Sequence, residues 1–201
     1  PEAPEKVVAI DTYFGDAQKR IGKEYYQKLL IIKQHLIKAA NDGKKVVVFP
    51  ESIIRPGFKG LRILKEITQI AKEKNIDVFI GSTSKNKENI VLNLRNNKEV
   101  YAANANIPVG SWKPWDEENS LVKSNRAYQQ IKAHKKIVWI SLCYEDVLLQ
   151  TFITQAMSND ADYIISMANV YWGEFSSAVK MQNVSLQASA KIFGKAVVKA
   201  S

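Results

Sequence analysis

The chain has a single cysteine, Cys143, among 201 residues, so no internal disulfide can form and cysteine usage does not reveal the redox compartment. There are two histidines, His35 and His134, far apart in the chain, and Cys143 has no second thiol or histidine at ligand spacing. No metal site is therefore indicated, and no cofactor is expected. No apolar run reaches the roughly 18 residues that a membrane span needs. The opening "PEAPEK" has neither Met nor the apolar core of a signal peptide, as expected of a piece cut from a longer protein. Repeats, low-complexity tracts and linkers are also missing. A single domain over residues 1–201 is the expectation, within the usual range of roughly 100 to 200 residues per domain.

What is present is an ordinary globular composition, 46% hydrophobic and 24% charged, with a formal charge of +9. Such a charge invites an anionic partner, a nucleic acid or an acidic membrane surface. Its lysines, however, are scattered singly or in pairs (Lys19, Lys23, Lys28, Lys33, Lys38, then Lys65, Lys72, Lys74), as on solvated helix faces. No basic stripe interleaved with aromatics marks a nucleic-acid surface. A nucleic-acid partner is not expected, and an anionic membrane surface stays open.

Strand and helix patterns alternate. "KVVAIDTYF" reads as a strand; Lys23 to Asn41 repeats apolar residues at helical spacing (Tyr26, Leu29, Leu30, Leu36, Ile37, Ala40), and "NDG" ends that helix. "KKVVVFPES" is a short continuous apolar run, the pattern of a strand buried on both faces. Leu61 to Lys74 reads as a helix, "DVFIGSTS" as a strand, and "NIVLNLRNNKEVYAANA" as a hairpin turning at Asn96 and Asn97. After a loop "IPVGSWKPWDEENS" come the strand "KIVWISLCYE", a helix from about Val147 to Ser158, the strand "ADYIISMAN", a helix from about Ser177 to Phe193, and the strand "KAVVKA". This alternation is the α/β class.

Three of these strands end in chemically capable residues: Glu51, Cys143 and Asn169. In α/β sheets ligands gather where strands end, on exposed loops held by a rigid scaffold. Each residue also has a structural explanation: Cys143 as core packing, Glu51 as a first-turn carboxylate, Asn169 as a turn residue or cap. Together they suit acyl transfer. A thiolate at a strand-to-helix turn is the nucleophile, a carboxylate in a dry pocket has the raised pKa of a base, and a lysine or backbone N–H stabilises the oxyanion.

"VVVFPES", "SLCYEDV" and "ADYIISMANVYWGEFSS" together resemble the motifs of the nitrilase, or carbon–nitrogen hydrolase, superfamily. Within it the Cys-Tyr-Glu-Asp run, the Trp-Gly step and "IPVGSWKPW" most resemble the apolipoprotein N-acyltransferase and conjugal-transfer TraB branch. The resemblance implies a four-layer α-β-β-α sandwich, cut short at its C-terminus. It also implies Glu51 as general base, Cys143 as nucleophile and Glu145 as a supporting carboxylate, with Tyr144, Asn169 and Trp172 lining the site. The family's catalytic lysine lies five residues ahead of the Pro-x-Gly proline. Counting back from Pro108 gives Ala103, so that lysine is absent, and Lys113 in the following loop is the candidate substitute. The acid that often follows the loop glycine is Ser111 here. Where the N-acyltransferases carry a histidine and paired arginines, this chain has Gln182, Gln187 and Ser189.

Two function classes follow. One is an enzyme, an amidase or N-acyltransferase passing through a Cys143 thioester. The other is a catalytically degenerate domain kept as a binding or assembly part of a conjugal-transfer or envelope system. For the first, the substrate is a small molecule or an acyl chain, and exposed aromatics Trp112 and Trp115 suit an acyl chain at a membrane. A homo-oligomer is implied by resemblance alone. The expected setting is a soluble domain from a membrane-associated bacterial protein, its compartment left open.

Overall fold

A computed structural model describes residues 2–12, 14, 22–54, 62–106, 115–116, 120–121, 129–169 and 176–201. The described residues form two sheets. In the first, β1 (Val7–Ala9), β2 (Val46–Val48) and β3 (Asp77–Thr83) run parallel, connected by α1 (Lys23–Asn41) and α2 (Arg62–Glu73). An antiparallel β4 (Asn89–Asn93) and β5 (Lys98–Ala102) complete it in the order β1-β2-β3-β4-β5. In the second, β6 (Ile131–Ala133) pairs antiparallel with β7 (Lys136–Leu142). From there β8 (Tyr163–Met167) and β9 (Ala196–Ala200) continue in parallel, connected by α3 (Leu149–Ser158) and α4 (Ser176–Ile192).

Side-chain alternation along the strands produces the layers, because successive residues point to opposite faces. Val47 of β2 packs with Leu29, Ile32 and Leu36 of α1 and Ile63 and Ile67 of α2. Its neighbours Val46 and Val48 turn the other way, into a core shared with Ile140 and Leu142 of β7, Ile165 of β8 and Val198 of β9. On the far side Trp139 and Ile164 pack under Phe152 of α3 and Leu186 of α4. Three cores separate four layers, α-β-β-α, as expected. Each fully buried Val, Leu or Ile contributes about 1.5–3 kcal/mol.

Local departures from the sequence patterns have simple causes. In α1 the buried stripe is Tyr25, Leu29, Ile32, Leu36 and Ala39, with Lys28 beside it, while Tyr26 and Ile37 are exposed. The observed set keeps the i+3/i+4 spacing along the whole helix, and Lys28 joins it because its ammonium donates to the Phe14 carbonyl. β6 was not expected, since three residues are too few to display a period. His134 lies in the tight turn between β6 and β7 with φ +54°. Its N–H donates to Asp77 Oδ2 at 2.6 Å, while Asp77 Oδ1 takes Asn93 Nδ2 at 2.7 Å and Arg95 Nε at 2.9 Å. This buried carboxylate at the start of β3 locks one sheet to the other. Among the described residues no helix is long and apolar enough to cross a membrane.

Candidate active site

β2 runs out at Val48, and the chain passes Phe49 and Pro50 to reach Glu51. Phe49 N–H still donates to Phe79 O at 2.8 Å, and Pro50 O accepts from Gly81 N–H at 3.1 Å, so Glu51 stays tied to β3. Gly81 makes the approach feasible: a Cβ there would stand 2.4 Å from Glu51 Cα and 2.6 Å from Ser52 N. Ser52 then turns the chain with φ +58°.

Glu51 is partly exposed as a residue, but its carboxyl is held by groups from three distant segments. Asn89 Nδ2 donates to Oε1 at 2.6 Å, Asn169 N–H donates to Oε2 at 3.3 Å, and the Cys143 thiol hydrogen-bonds the carboxyl. Burial raises its pKa above the ordinary carboxylate value; these three bonds pull in the opposite direction. A carboxyl so placed accepts a thiol proton more readily than a solvated one. The strand ends of the two sheets therefore meet at one point. The Oδ1 of Asn89, buried, has no partner among the described residues.

Cys143 follows β7 directly and opens a short 3-10 turn, Cys143–Val147. Its φ is +48°, in the left-handed region that costs a side-chain-bearing residue about 1–2 kcal/mol. Glu145, fully buried two residues on, accepts Leu142 N–H at 3.0 Å and Tyr101 Oη–H at 2.8 Å on one oxygen and Asn104 N–H at 2.8 Å on the other. Burial pushes its pKa up to about 7 although every donor pulls it down. Glu145 thus ties the cysteine turn to the end of β5. Tyr144 is half-buried beside Cys143, and Asn169 is half-buried after β8. Lys113, Trp112 and Trp172 lie outside the described residues, and Trp115 is exposed.

Solved structures share this arrangement of sheets and helices. An amidase from Nesterenkonia sp. superposes with a TM-score of 0.65 at 10% identity, over 96% of this chain and 74% of that one. A mutant of that enzyme, described as an amidase from the nitrilase superfamily, gives a TM-score of 0.66 at 11% identity, over 96% of this chain and 74% of that one. The NitFhit protein of C. elegans gives 0.63 at 12% identity, over 97% and 50%. The chain has the nitrilase-superfamily fold. At the sequence level it is similar to a probable conjugal transfer protein TraB of Sinorhizobium fredii, 27% identical over 172 residues, 79% of this chain and 43% of the relative. It is also similar to an apolipoprotein N-acyltransferase of Haemophilus ducreyi, 23% identical over 194 residues, 84% of this chain and 38% of the relative. The chain thus covers 43% and 38% of the length of these curated relatives. No family model matches it.

The resemblance to the nitrilase superfamily, on its TraB and N-acyltransferase side, therefore holds. Of the predicted site residues the nitrilase fold brings Glu51, Cys143 and Asn169 into one hydrogen-bonded group, with Glu145 supporting the turn. Ala103, the position to which the resemblance assigns the missing lysine, is fully buried in the core between the sheets, its N–H donating to Asn89 O at 2.8 Å. Sequence reasoning missed Asn89, Tyr101 and Asn104. The available signal was a polar residue, Asn89, heading an apolar strand; only the pairing of β4 with β3 carries it to Glu51.

Proposed function

We propose that the domain is a thiol-dependent carbon–nitrogen hydrolase or N-acyltransferase in which Cys143 is the nucleophile and Glu51 the general base. The observation that carries this reading is the Cys143 thiol hydrogen-bonded to the enclosed carboxyl of Glu51. In the first step the thiol proton passes to Glu51 while sulfur bonds to the acyl carbon, giving a tetrahedral oxyanion. Its collapse breaks the carbon–nitrogen or ester bond, Glu51 returns the proton to the leaving group, and a thioester remains on Cys143. Glu51 then activates water, for hydrolysis, or an amine, for acyl transfer. The oxyanion donors proposed are backbone N–H groups of the cysteine turn together with Lys113. In this reading Asn169 and Tyr144 border the substrate, as do Trp172 and Trp112 on the resemblance. An acyl chain presented at an anionic membrane surface is the substrate class that best suits the N-acyltransferase relative and the charge of +9.

One observation favours a second reading. With Ala103 in place of the lysine, the site lacks a donor whose loss costs about 100- to 1000-fold in turnover, and a binding or assembly part retaining the fold is then the proposal. Intact-mass measurement with a panel of amides, thioesters and acyl donors decides between them, run on the wild type, Cys143→Ala, Glu51→Gln and Lys113→Ala. A mass gain that requires Cys143 and slows in Glu51→Gln supports the enzyme and names the acyl group. No adduct across the panel, with Cys143 no more reactive than a free thiol, supports the binding part.

A further inference from the structure

Behind the cysteine turn lies a buried polar assembly with no part in the proton transfers above. Ser141 of β7, Ser166 of β8 and Lys199 of β9 are register partners in adjacent strands, a polar row across the second sheet. All three point to the face covered by α3 and α4, since their neighbours Ile140, Leu142, Ile165, Met167 and Val198 point into the inter-sheet core. Asp146, the fourth residue of the 3-10 turn, drops its carboxylate onto this row. Its Oδ1 accepts Ser141 Oγ at 2.6 Å, its Oδ2 accepts Ser166 Oγ at 2.8 Å, and Lys199 Nζ stands 3.8 Å away. From above, Gln182 of α4 completes the set: Nε2 donates to Asp146 Oδ2 at 2.9 Å and to the Cys143 carbonyl at 2.8 Å. Both hydrogens of the one amide are used, and Gln182, Asp146, Ser141 and Ser166 are all buried.

We propose that Gln182, anchored on Asp146, is the positioning residue that holds the Cys143 backbone in its left-handed conformation and so keeps the thiol against Glu51. The carbonyl of Cys143 is the lever. Rotation about N–Cα away from φ +48° swings this oxygen and the Cα–Cβ bond together, and the Gln182 amide opposes that rotation from outside the turn. A carbonyl bonded only to its own turn would relax toward an ordinary backbone conformation and carry the sulfur off the carboxyl. Asp146 acts as anchor because it is itself fixed from two strands, and through it the sheet registers the helix against the nucleophile. Among the described residues, the charged groups against the thiol and this assembly are Glu51, Asp146 and Lys199, with Glu145 in the same turn. The Asp146 carboxylate also raises the pKa of Glu51 through space.

The inference rests on the proposed role of Glu51, and its test separates the two. Cys143 is alkylated with iodoacetamide across pH 5 to 9 and followed by intact mass. Sulfur bonds to the methylene carbon, iodide leaves, and the thiol proton goes to Glu51. The wild type should show a rate step that tracks the ionisation of Glu51 and vanishes in Glu51→Gln. Gln182→Leu should fold, lose that step, and alkylate about tenfold or more slowly near pH 7, following an ordinary thiol titration instead. Asp77→Ala, a destabilised control at the opposite end of β3, should keep the step. A folded Gln182→Leu with the wild-type profile overturns the positioning role alone, as does loss of the step in Asp77→Ala. Should Gln182→Leu fail to fold, Gln182→Ala, whose side chain favours the helix, decides on the same criteria. A wild type whose alkylation ignores Glu51 overturns both the base assignment and this inference.

Discussion

Gly81→Ala is the sharpest test of how the site is built. The added Cβ would lie 2.4 Å from Glu51 Cα, 2.6 Å from Ser52 N and 2.8 Å from Glu51 C. Carbon atoms in ordinary contact sit at about 3.5–4.0 Å, so the overlap exceeds roughly 1 Å, and it falls on backbone atoms that no rotamer change can move. The loop cannot simply retreat, because Ile53 and Ile54 N–H groups both donate to Gly81 O at 3.0 Å and Gly81 N–H donates to Pro50 O. Overpacking of this kind costs about 1–3 kcal/mol, with the upper end expected here. If the strain is relieved by moving Glu51 about 1 Å, its bonds to Asn89, Asn169 and Cys143 are lost, and on the proposed function acyl-enzyme formation should fall about 100-fold. Urea unfolding reads the stability, and intact mass reads the adduct. Gly43→Ala supplies the comparison: its φ is +73° with open space around it, so it should lose about 1 kcal/mol of stability and leave the site unchanged. Gly81→Ala with wild-type stability and unaltered adduct formation would refute the close approach of β3 to Glu51, and with it the dependence of the Glu51 carboxyl's position on that approach.

Two further predictions concern buried carboxylates. Glu145, with its pKa raised to about 7 from 4.5, binds a proton more tightly when folded; the stability linked to it is full below pH 4.5 and is lost as pH rises through 7. Over those roughly 2.5 pH units, at about 1.4 kcal/mol each, the stability difference between wild type and Glu145→Gln should change by roughly 3 kcal/mol in favour of the variant, read by urea melts at successive pH. A flat difference from pH 4.5 to 8 would show that burial does not raise Glu145. Asp77→Ala strands Asn93, Arg95 and the His134 N–H, and should cost about 2–4 kcal/mol in urea unfolding while Cys143 reactivity persists. A loss below 0.5 kcal/mol, roughly that of an ordinary surface change, would remove the lock between the sheets.

How much of this was legible follows the range of the interactions. Val46, Val47 and Val48 form an unbroken apolar run, and all three are buried, because a strand between two layers has no solvent face to mark with polar residues. The turn at Asn96 and Asn97 was equally readable; Asn97 adopts φ +52°, a conformation that asparagine tolerates. Glu51, Cys143 and Asn169 could be chosen because each ends a strand, and strand ends are where a sheet exposes side chains.

What the sequence by itself determined is the set of local patterns: the α/β alternation, the buried strands, and three chemically capable residues each at a strand end. Only the tertiary structure decided that these residues meet. Glu51 and Asn169 are 118 positions apart and touch only because two sheets stack face to face. Asp146 and Gln182 look like a surface acid and a helix amide until β7, β8 and α4 close around them. Periodicity records which way a side chain points relative to its own backbone. Which partner waits there depends on long-range packing, and a polar residue that finds one can be buried where its local pattern would have left it in water.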